Sequence, residues 1–306
     1  MTQVFPRSVE SWRDQGRFEA IGDQRVFVVQ AGGGTEVPVV FLHGFPTSSY
    51  DWHRIWAELD GRPRLALDLP GYGLSSKPID YSYSLLEQAE VVIEVLRRAG
   101  LDRGHVVDHD MGTSVLTELL ARRERGHLAG FEPASITLMN GSVHIDMTRL
   151  TPSQKLLMSP VADLFVRASR YPVFKWQLSR ILGQALHDEE LRALWALLRA
   201  DDGHQRLPAI MRYVDERSIF KHRWIGALTR LDLPTLVAWG PKDPVAVMAI
   251  AERLADEIPG ARLVPLEGLG HYPQLEDPHA VLSVLRAFWR EAEDRTGPPT
   301  ESRARS

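Results

Sequence analysis

Short apolar runs alternate along this chain with longer amphipathic segments. Continuous apolar runs such as 37–42 are typical of strands buried on both faces, whereas the three- and four-residue spacing within 85–98 predicts a helix. Eight runs predict strands, at residues 17–21, 25–30, 37–42, 64–69, 106–107, 136–139, 235–239 and 262–266. Because strands and helices alternate, we predict an α/β fold with a mostly parallel sheet and helices on both faces.

The pattern changes at about residue 146. From there to residue 222 helical stretches rich in Leu, Arg and Trp follow one another without a strand candidate. We interpret 146–222 as a helical lid inserted between two parts of the core, 1–145 and 223–293, and lying over the strand ends where such sheets bind ligands. The polar tail 294–306, with its two adjacent prolines, is predicted to be disordered.

The composition is that of a globular protein. The 306 residues are 44% hydrophobic and 25% charged, and the formal net charge of −4 gives no indication of a nucleic acid or an anionic membrane as a partner. The chain has no cysteine, which excludes thiol catalysis and fits a reducing compartment. Since no signal pattern and no apolar run of membrane-spanning length occurs, we expect a cytoplasmic protein, either a monomer or a homodimer.

The stretch 104–114, GHVVDHDMGTS, changes from strand to helix around Asp110. A strand that turns abruptly into a helix, with a reactive side chain at the apex and Gly two residues later, is a nucleophile elbow, which usually carries Ser. A carboxylic acid with an ordinary pKa of ~3.9 is already ionised at neutral pH and suits displacement at a strained or activated sp³ carbon. We therefore predict Asp110 as a nucleophile towards an epoxide or alkyl halide; the alternative is a helix-capping Asp.

Asp108 and His109 directly precede Asp110 in the sequence. Asp108 occupies a position where a tight elbow favours a small residue, and a buried carboxylate there would need hydrogen-bond partners. Its role is not explained by the sequence. His109 is expected to point to the opposite side of the strand and to be structural.

Four motifs occur in order at strand ends, HGFP (43–46), HDMG (109–112), GPKDP (240–244) and GHYP (270–273). With these motifs the chain resembles an α/β-hydrolase with a helical cap over nearly its whole length, and within that superfamily the epoxide hydrolase and haloalkane dehalogenase branch. HGFPTSSYDW, RWIGAL and HYPQLEDP further resemble the mesoderm-specific-transcript-like hydrolases. The resemblance implies an eight-stranded α/β-hydrolase sheet and a reaction without metal or other cofactor.

The resemblance also implies roles for residues far from the elbow in sequence. His271 is the candidate base that activates water, and Asp243 the acid that orients its ring, although Asp before Pro is also a frequent turn former. The rival acid position carries the neutral Asn140. Backbone amides of Phe45 and Met111 are predicted to form an oxyanion hole.

The leaving group decides between the two reactions. A departing halide needs side-chain N–H donors, and neither Met111 nor Phe45 supplies one. A departing epoxide alkoxide needs acidic O–H groups, which Tyr213 and Tyr171 of the lid offer, unless these are ordinary packing residues. The further candidates for the substrate pocket are His43, Pro46, Trp176 and Trp195.

The sequence thus predicts an epoxide hydrolase that forms an ester at Asp110 and releases a vicinal diol. Its expected partners are a small apolar epoxide and water, without nucleic acid or membrane. The alternatives are a haloalkane dehalogenase-like hydrolase and a non-catalytic binding protein on the same fold.

Overall fold

Residues 4–296 are described by the computed structural model, which contains a single eight-stranded sheet. The strand order is β1-β2-β4-β3-β5-β6-β7-β8, with β1 and β2 antiparallel to their neighbours and the others parallel. The predicted α/β fold and mostly parallel sheet are confirmed. The strands are β1 (Gly16–Ile21), β2 (Gln24–Ala31), β3 (Val39–Leu42), β4 (Arg64–Leu67), β5 (Arg103–Asp108), β6 (Glu132–Met139), β7 (Thr235–Trp239) and β8 (Arg262–Pro265).

Helices connect the strands and cover the sheet. Those outside the long β6–β7 connection are α1 (Arg7–Arg13), α2 (His53–Ala57), α3 (Leu85–Arg98), α4 (Gly112–Arg123), α12 (Met248–Glu257), α13 (Pro273–Glu276) and α14 (Pro278–Thr296), with a 3₁₀ turn at Ser49–Trp52. The β6–β7 connection contains α5 (Pro152–Leu157), α6 (Ala162–Ala168), α7 (Tyr171–Ser179), α8 (Asp188–Arg199), a 3₁₀ segment (Ala200–Arg206), α9 (Leu207–Ile210), α10 (Tyr213–Ile219) and α11 (Lys221–Thr229).

Alternate side chains of the central strands enter two different apolar clusters. In β3, Val40 and Leu42 pack with α3 and α4, whereas Val39 and Phe41 pack with α2 and α14. This alternation follows from the two-residue repeat of a strand, and it explains why the central strands are apolar on both faces. The polar residues that follow these strands therefore lie at one edge of a sheet whose central strands are covered on both faces.

The predicted boundary of the lid at residue 222 falls inside α11. The indole of Trp224 donates a hydrogen bond to Oε2 of Glu118 in α4 at 2.9 Å, and Arg223 pairs with the same carboxylate at 2.7 Å. Helix α11 thus packs on the core helix α4. The division into core and lid stays a prediction, because the helical spacing of residues 213–229 does not indicate which layer each helix contacts.

The predicted tail is described only in part. Helix α14 continues to Thr296, so residues 294–296 are helical and not disordered; residues 297–306 lie outside the described residues. Among the helices of residues 4–296, none has the length and apolar character needed to cross a membrane.

Candidate active site

Asp110 lies at the apex of the turn between β5 and α4. Its backbone has a positive φ of 48°, which non-glycine residues rarely adopt and which Asp tolerates better than most. The turn is closed by Gly112, where a Cβ atom would lie 2.9 Å from the carbonyl oxygen of His43. The strand, the strained apex and the glycine together aim the Asp110 side chain at the edge of the sheet.

The two carboxylate oxygens of Asp110 have different surroundings. Oδ2 accepts the backbone N–H of Phe45 at 2.9 Å, whereas Oδ1 faces Nε2 of His271 at 4.0 Å. The amide of Met111, the second predicted donor, makes no hydrogen bond to another of the described residues. Oδ1 thus accepts no hydrogen bond from the described residues, and Oδ2 lies at the predicted oxyanion hole.

His271 and Asp243 form a buried pair beside the elbow. Nδ1 of His271 contacts Oδ2 of Asp243 at 2.6 Å, and both side chains are almost fully buried. Asp243 is fixed in turn by the backbone amides of Val245 and Ala246, which donate to Oδ1 at 2.7 and 3.1 Å. Burial lowers the pKa of His271, but the charges of Asp243 and Asp110 outweigh it and raise the pKa to about 9.

Asn140, the residue at the rival acid position, supports the pair instead of competing with it. Its side-chain amide donates to Oδ2 of Asp243 at 2.9 Å, and its Oδ1 accepts the backbone N–H of Gly240 at 2.9 Å. The sequence placed Asn140 at the right strand end but did not indicate this contact, which depends on how closely the β6 and β7 ends approach each other.

Asp108 is fully buried beneath the elbow. Its Oδ1 accepts hydrogen bonds from the Thr113 hydroxyl and, at 3.5 Å, from the Met139 amide, while Oδ2 has no partner among the described residues. Burial raises the pKa of Asp108 to about 8, so the group is a neutral acid at neutral pH. A neutral carboxyl explains how this position tolerates Asp so close to the charge of Asp110.

His109 contacts the loop that carries His271, in keeping with a structural role. Its Nε2 donates to the backbone carbonyl of His271 at 2.6 Å, and its ring packs against Tyr272. Burial lowers the pKa of His109 to about 4, which keeps the ring neutral. The residue therefore holds the loop that carries His271.

Tyr213, at the start of α10, is buried next to the loop 43–46, which carries the Phe45 amide. Its ring centroid lies 5.7 Å from that of Phe45, and the Arg217 guanidinium lies 4.7 Å from its ring centroid. Burial and the charge of Asp110 raise the pKa of Tyr213, so its hydroxyl stays protonated. The Gln154 side chain acts in the opposite direction and lowers that pKa.

Gln154 has a second contact at the start of α5. Its Oε1 accepts the backbone N–H of Thr151 at 2.8 Å, and the Thr151 hydroxyl accepts the backbone N–H of Gln154, which together form a capping box. The Oε1 atom is occupied in this way, so only the side-chain NH₂ group can act on the pKa of Tyr213.

The structure does not bring Tyr171 to the site. Its hydroxyl donates to Oδ1 of Asp188 at 2.6 Å, and Arg192 stacks on its ring at 4.5 Å. The residue does not line the cavity between the core and the lid, of which His271 is a lining residue. The prediction of Tyr171 as a second acid is wrong, because this tyrosine fastens α7 to α8.

A cavity of about 460 Å³ opens between the core and the lid. Phe45, Pro46 and His271 lie on its core side, and Trp176 and Trp195 on its lid side, where the sequence placed pocket residues. His43 is not among the lining residues. It is fully buried, accepts a hydrogen bond from the Leu69 amide at 3.0 Å and contacts the Gly44 carbonyl at 2.9 Å. His43 therefore stabilises the loop 43–46 without reaching the cavity.

Two tyrosines near the elbow were missed at the sequence level. The Tyr72 hydroxyl donates to Sδ of Met111 at 2.9 Å, and the Tyr272 hydroxyl donates to the Phe45 carbonyl at 3.2 Å. Both fix residues of the predicted oxyanion hole. Their positions in the PGYG and GHYP motifs were the available signal. Within residues 4–296, no group of three or more His, Asp or Glu side chains is arranged to hold a metal ion.

Comparisons with known proteins agree with this fold. Residues 37–278 match the family described as alpha/beta hydrolase fold. The chain is 40% identical to the protein LipZ of Mycobacterium tuberculosis over 284 residues, 91% of this chain and 98% of that protein. It is 34% identical to the mesoderm-specific transcript protein of Mus musculus over 94% of this chain and 89% of that protein.

Solved structures give the same fold. Haloalkane dehalogenase DbeA from Bradyrhizobium elkani superposes with a TM-score of 0.77 at 22% identity, covering 92% of this chain and 99% of that one. The chain belongs to the α/β-hydrolase family, and it is a hydrolase by family. The expected resemblance to the mesoderm-specific transcript proteins is confirmed.

Proposed function

We propose that this hydrolase opens epoxides through an ester formed at Asp110. The observation that carries the proposal is the carboxylate at the elbow, with Oδ2 held by the Phe45 amide and Oδ1 free. An acyl-transfer mechanism of the serine type would need a hydroxyl at this apex. Ser114, the nearest serine in the chain, contacts Ser142 and Arg217 instead.

In the first step, Oδ1 of Asp110 bonds to one epoxide carbon and the bond from that carbon to the ring oxygen breaks. The oxygen keeps the electron pair and takes the proton of the Tyr213 hydroxyl. A buried O–H group with a raised pKa is a donor that stays protonated until such an alkoxide forms beside it. Arg217, stacked on the ring, then stabilises the resulting phenolate.

Ester formation lowers the pKa of His271. It removes the charge of Asp110, which is one of the causes that raise the pKa of His271. The imidazolium can then release its proton, which restores Tyr213, and the neutral ring becomes a base. Asp243 keeps the ring in the tautomer that leaves Nε2 free.

In the second step, His271 takes a proton from water as the water oxygen attacks the carboxyl carbon of Asp110. The oxyanion forms on Oδ2, where the amides of Phe45 and Met111 are available. Collapse expels the diol alkoxide, which takes the proton from His271, and the regenerated acid returns a proton to the ring. One product oxygen comes from the epoxide and the other from Asp110.

Single-turnover reaction of styrene oxide in oxygen-18 water tests this route. We expect unlabelled diol from the first turnover and oxygen-18 in the peptide 104–122, located at Asp110 and not at Asp108 by fragmentation. Labelled diol in that turnover would mean direct attack by water and would contradict the ester mechanism. In His271→Gln the ester should accumulate as a mass increase equal to one epoxide, and Asp110→Asn should form none.

Halide displacement remains the second candidate, because Trp176 and Trp195 line the cavity and indole N–H groups can bind halide. The epoxide is favoured because Tyr213, whose ring centroid lies 5.7 Å from that of Phe45, offers a buried hydroxyl with a raised pKa. Parallel assays of 1-bromobutane and styrene oxide distinguish the two. Bromide release faster than diol formation would favour a dehalogenase.

A further inference from the structure

Exposed apolar side chains are concentrated on one part of the lid. Ten large apolar residues within 4–296 are exposed, and six of them lie in the 21 positions from 156 to 176. We call these six the lid surface: Leu156, Met158, Val161, Leu164, Val173 and Trp176. Single exposed apolar residues are common, but a group on adjacent short helices indicates a surface that contacts something.

The same segment is strongly basic. Residues 149–180 contain six basic residues and one acidic residue, Asp163, which gives a net charge of +5 in a chain whose formal net charge is −4. The six basic residues are Arg149, Lys155, Arg167, Arg170, Lys175 and Arg180. A local excess of positive charge therefore lies on the part of the molecule that also exposes six of these apolar residues.

Most of this charge is not neutralised by the protein itself. Lys175 pairs with Asp188 at 2.6 Å, but the other five make no ion pair with a carboxylate within the described part of the chain. Arg170 contacts backbone carbonyls, and Arg180 stacks on Trp176 at 4.9 Å. A cation lying on an exposed indole is an arrangement suited to the boundary between water and lipid headgroups.

The lid surface is continuous with the cavity. Phe165 and Trp176 of α6 and α7 line the cavity, and the exposed Leu164 and Val173 lie on the same two helices. Arg149 and Arg180 also line the cavity, and no Asp or Glu is found among its lining residues. A molecule that lies in an anionic layer against α5–α7 would thus be next to an apolar cavity.

We propose that the lid surface binds anionic lipid surfaces and that the enzyme takes amphiphilic substrates from them. Apolar residues interleaved with basic ones on short surface helices give both parts of such binding: apolar insertion and attraction to acidic headgroups. The expectation of no membrane partner came from the net charge of the whole chain, which conceals the local excess of +5. The proposal does not depend on the reaction at Asp110.

Vesicle flotation with the full chain tests the proposal. We expect the protein to float with phosphatidylcholine vesicles that contain about 30% phosphatidylglycerol, and to bind pure phosphatidylcholine at least about tenfold more weakly. Binding should fall by about tenfold or more in Arg167→Gln/Arg170→Gln. It should also fall at least about fivefold in Val161→Ser/Leu164→Ser, because insertion would lose two apolar side chains.

Ile79→Ser is the matched control. Ile79 and Leu164 are similarly exposed, at 74% and 71%. Ile79, however, lies outside the lid, in the connection between β4 and α3. It should float like the parent protein, and thermal unfolding of all variants should be unchanged. Equal binding to both vesicle types, no loss in the lid variants, or an equal loss in Ile79→Ser would overturn the proposal.

The same variants identify other occupants of the lid surface. Light scattering without lipid compares the oligomeric state of the parent protein with that of Val161→Ser/Leu164→Ser. A dimer that dissociates in the variant would assign this surface to a second copy of the chain and would overturn lipid binding. Failure of flotation together with a normal oxygen-18 result would leave the proposed reaction intact.

Discussion

The side-chain amide of Asn140 donates to the same oxygen of Asp243 that contacts His271, at 2.9 and 2.6 Å respectively. Two strand ends, those of β6 and β7, therefore converge on one carboxylate oxygen. This arrangement implies that an acid at either position would lie close to the ring of His271.

Exchanging these two side chains tests that implication. Asp243→Asn should lower kcat by about 10³-fold or more, because the ring would lose its orienting acid. We expect Asn140→Asp/Asp243→Asn to recover at least about tenfold of that loss, because the carboxylate returns on the adjacent strand end. Steady-state diol formation measures both. A double variant no better than Asp243→Asn would indicate that only the β7 position can orient the ring.

Removal of a single hydroxyl distinguishes the two lid tyrosines. Tyr213→Phe should lower kcat by about 10²-fold, the usual contribution of a general acid, whereas Tyr171→Phe should leave kcat within about twofold. Tyr171→Phe should instead lower the melting temperature, since the bond to Asp188 joins α7 to α8. Equal losses of kcat in the two variants would contradict the placement of Tyr171.

Asp108 should make stability depend on pH. Its pKa is raised to about 8 in the folded protein from an ordinary 3.8, so the folded state keeps a proton that the unfolded chain has lost between these values. The free energy of unfolding should therefore fall as the pH rises from about 4 to about 8. In Asp108→Asn this part of the slope should disappear.

Urea denaturation of the parent protein and Asp108→Asn across that range measures the difference. The amide should add a constant cost of about 1–3 kcal/mol, because one of its groups would be buried without a partner, but this cost does not vary with pH. The prediction concerns the slope alone. Parallel curves for the two proteins would mean that Asp108 is ionised in the folded state.

Glu118 should be a major contributor to stability. Its carboxylate, 1% exposed, accepts from Arg122, Arg223 and Trp224, which joins α4 to α11. Glu118→Gln should cost about 3 kcal/mol, as expected when a buried ion pair loses one partner. The control is Glu124→Gln, whose pair with Arg230 is exposed and worth less than about 1 kcal/mol. Similar urea midpoints for the two variants would contradict this role.

The sequence predicted the sheet and the proposed triad because both depend on local patterns. Asp110 and Asp243 follow apolar strands, and His271 belongs to a loop with a recognisable motif. Once the strands are placed in a parallel sheet, their carboxyl ends must lie together. The strand pattern thus predicts that Asp110 and Asp243, which are far apart in the chain, lie close together in the fold.

The lid was predicted less well. The orientation of Tyr171 depends on Asp188, 17 residues away, and the placement of α11 depends on Glu118 in the core. Helical periodicity gives the face that is buried but not the partner that buries it. His43 was predicted in the pocket because it follows a strand, but this position does not indicate which way its ring points. The ring accepts a hydrogen bond from the Leu69 amide.

Gln154 connects the beginning of a lid helix to the hydroxyl proposed to protonate the substrate. The same side chain completes the capping box of α5 and serves Tyr213. Unwinding of the first turn of α5 would release Gln154 from the capping box and change the surroundings of that hydroxyl. The order of a helix on the lid surface would in this way affect the proton donor inside through a single side chain.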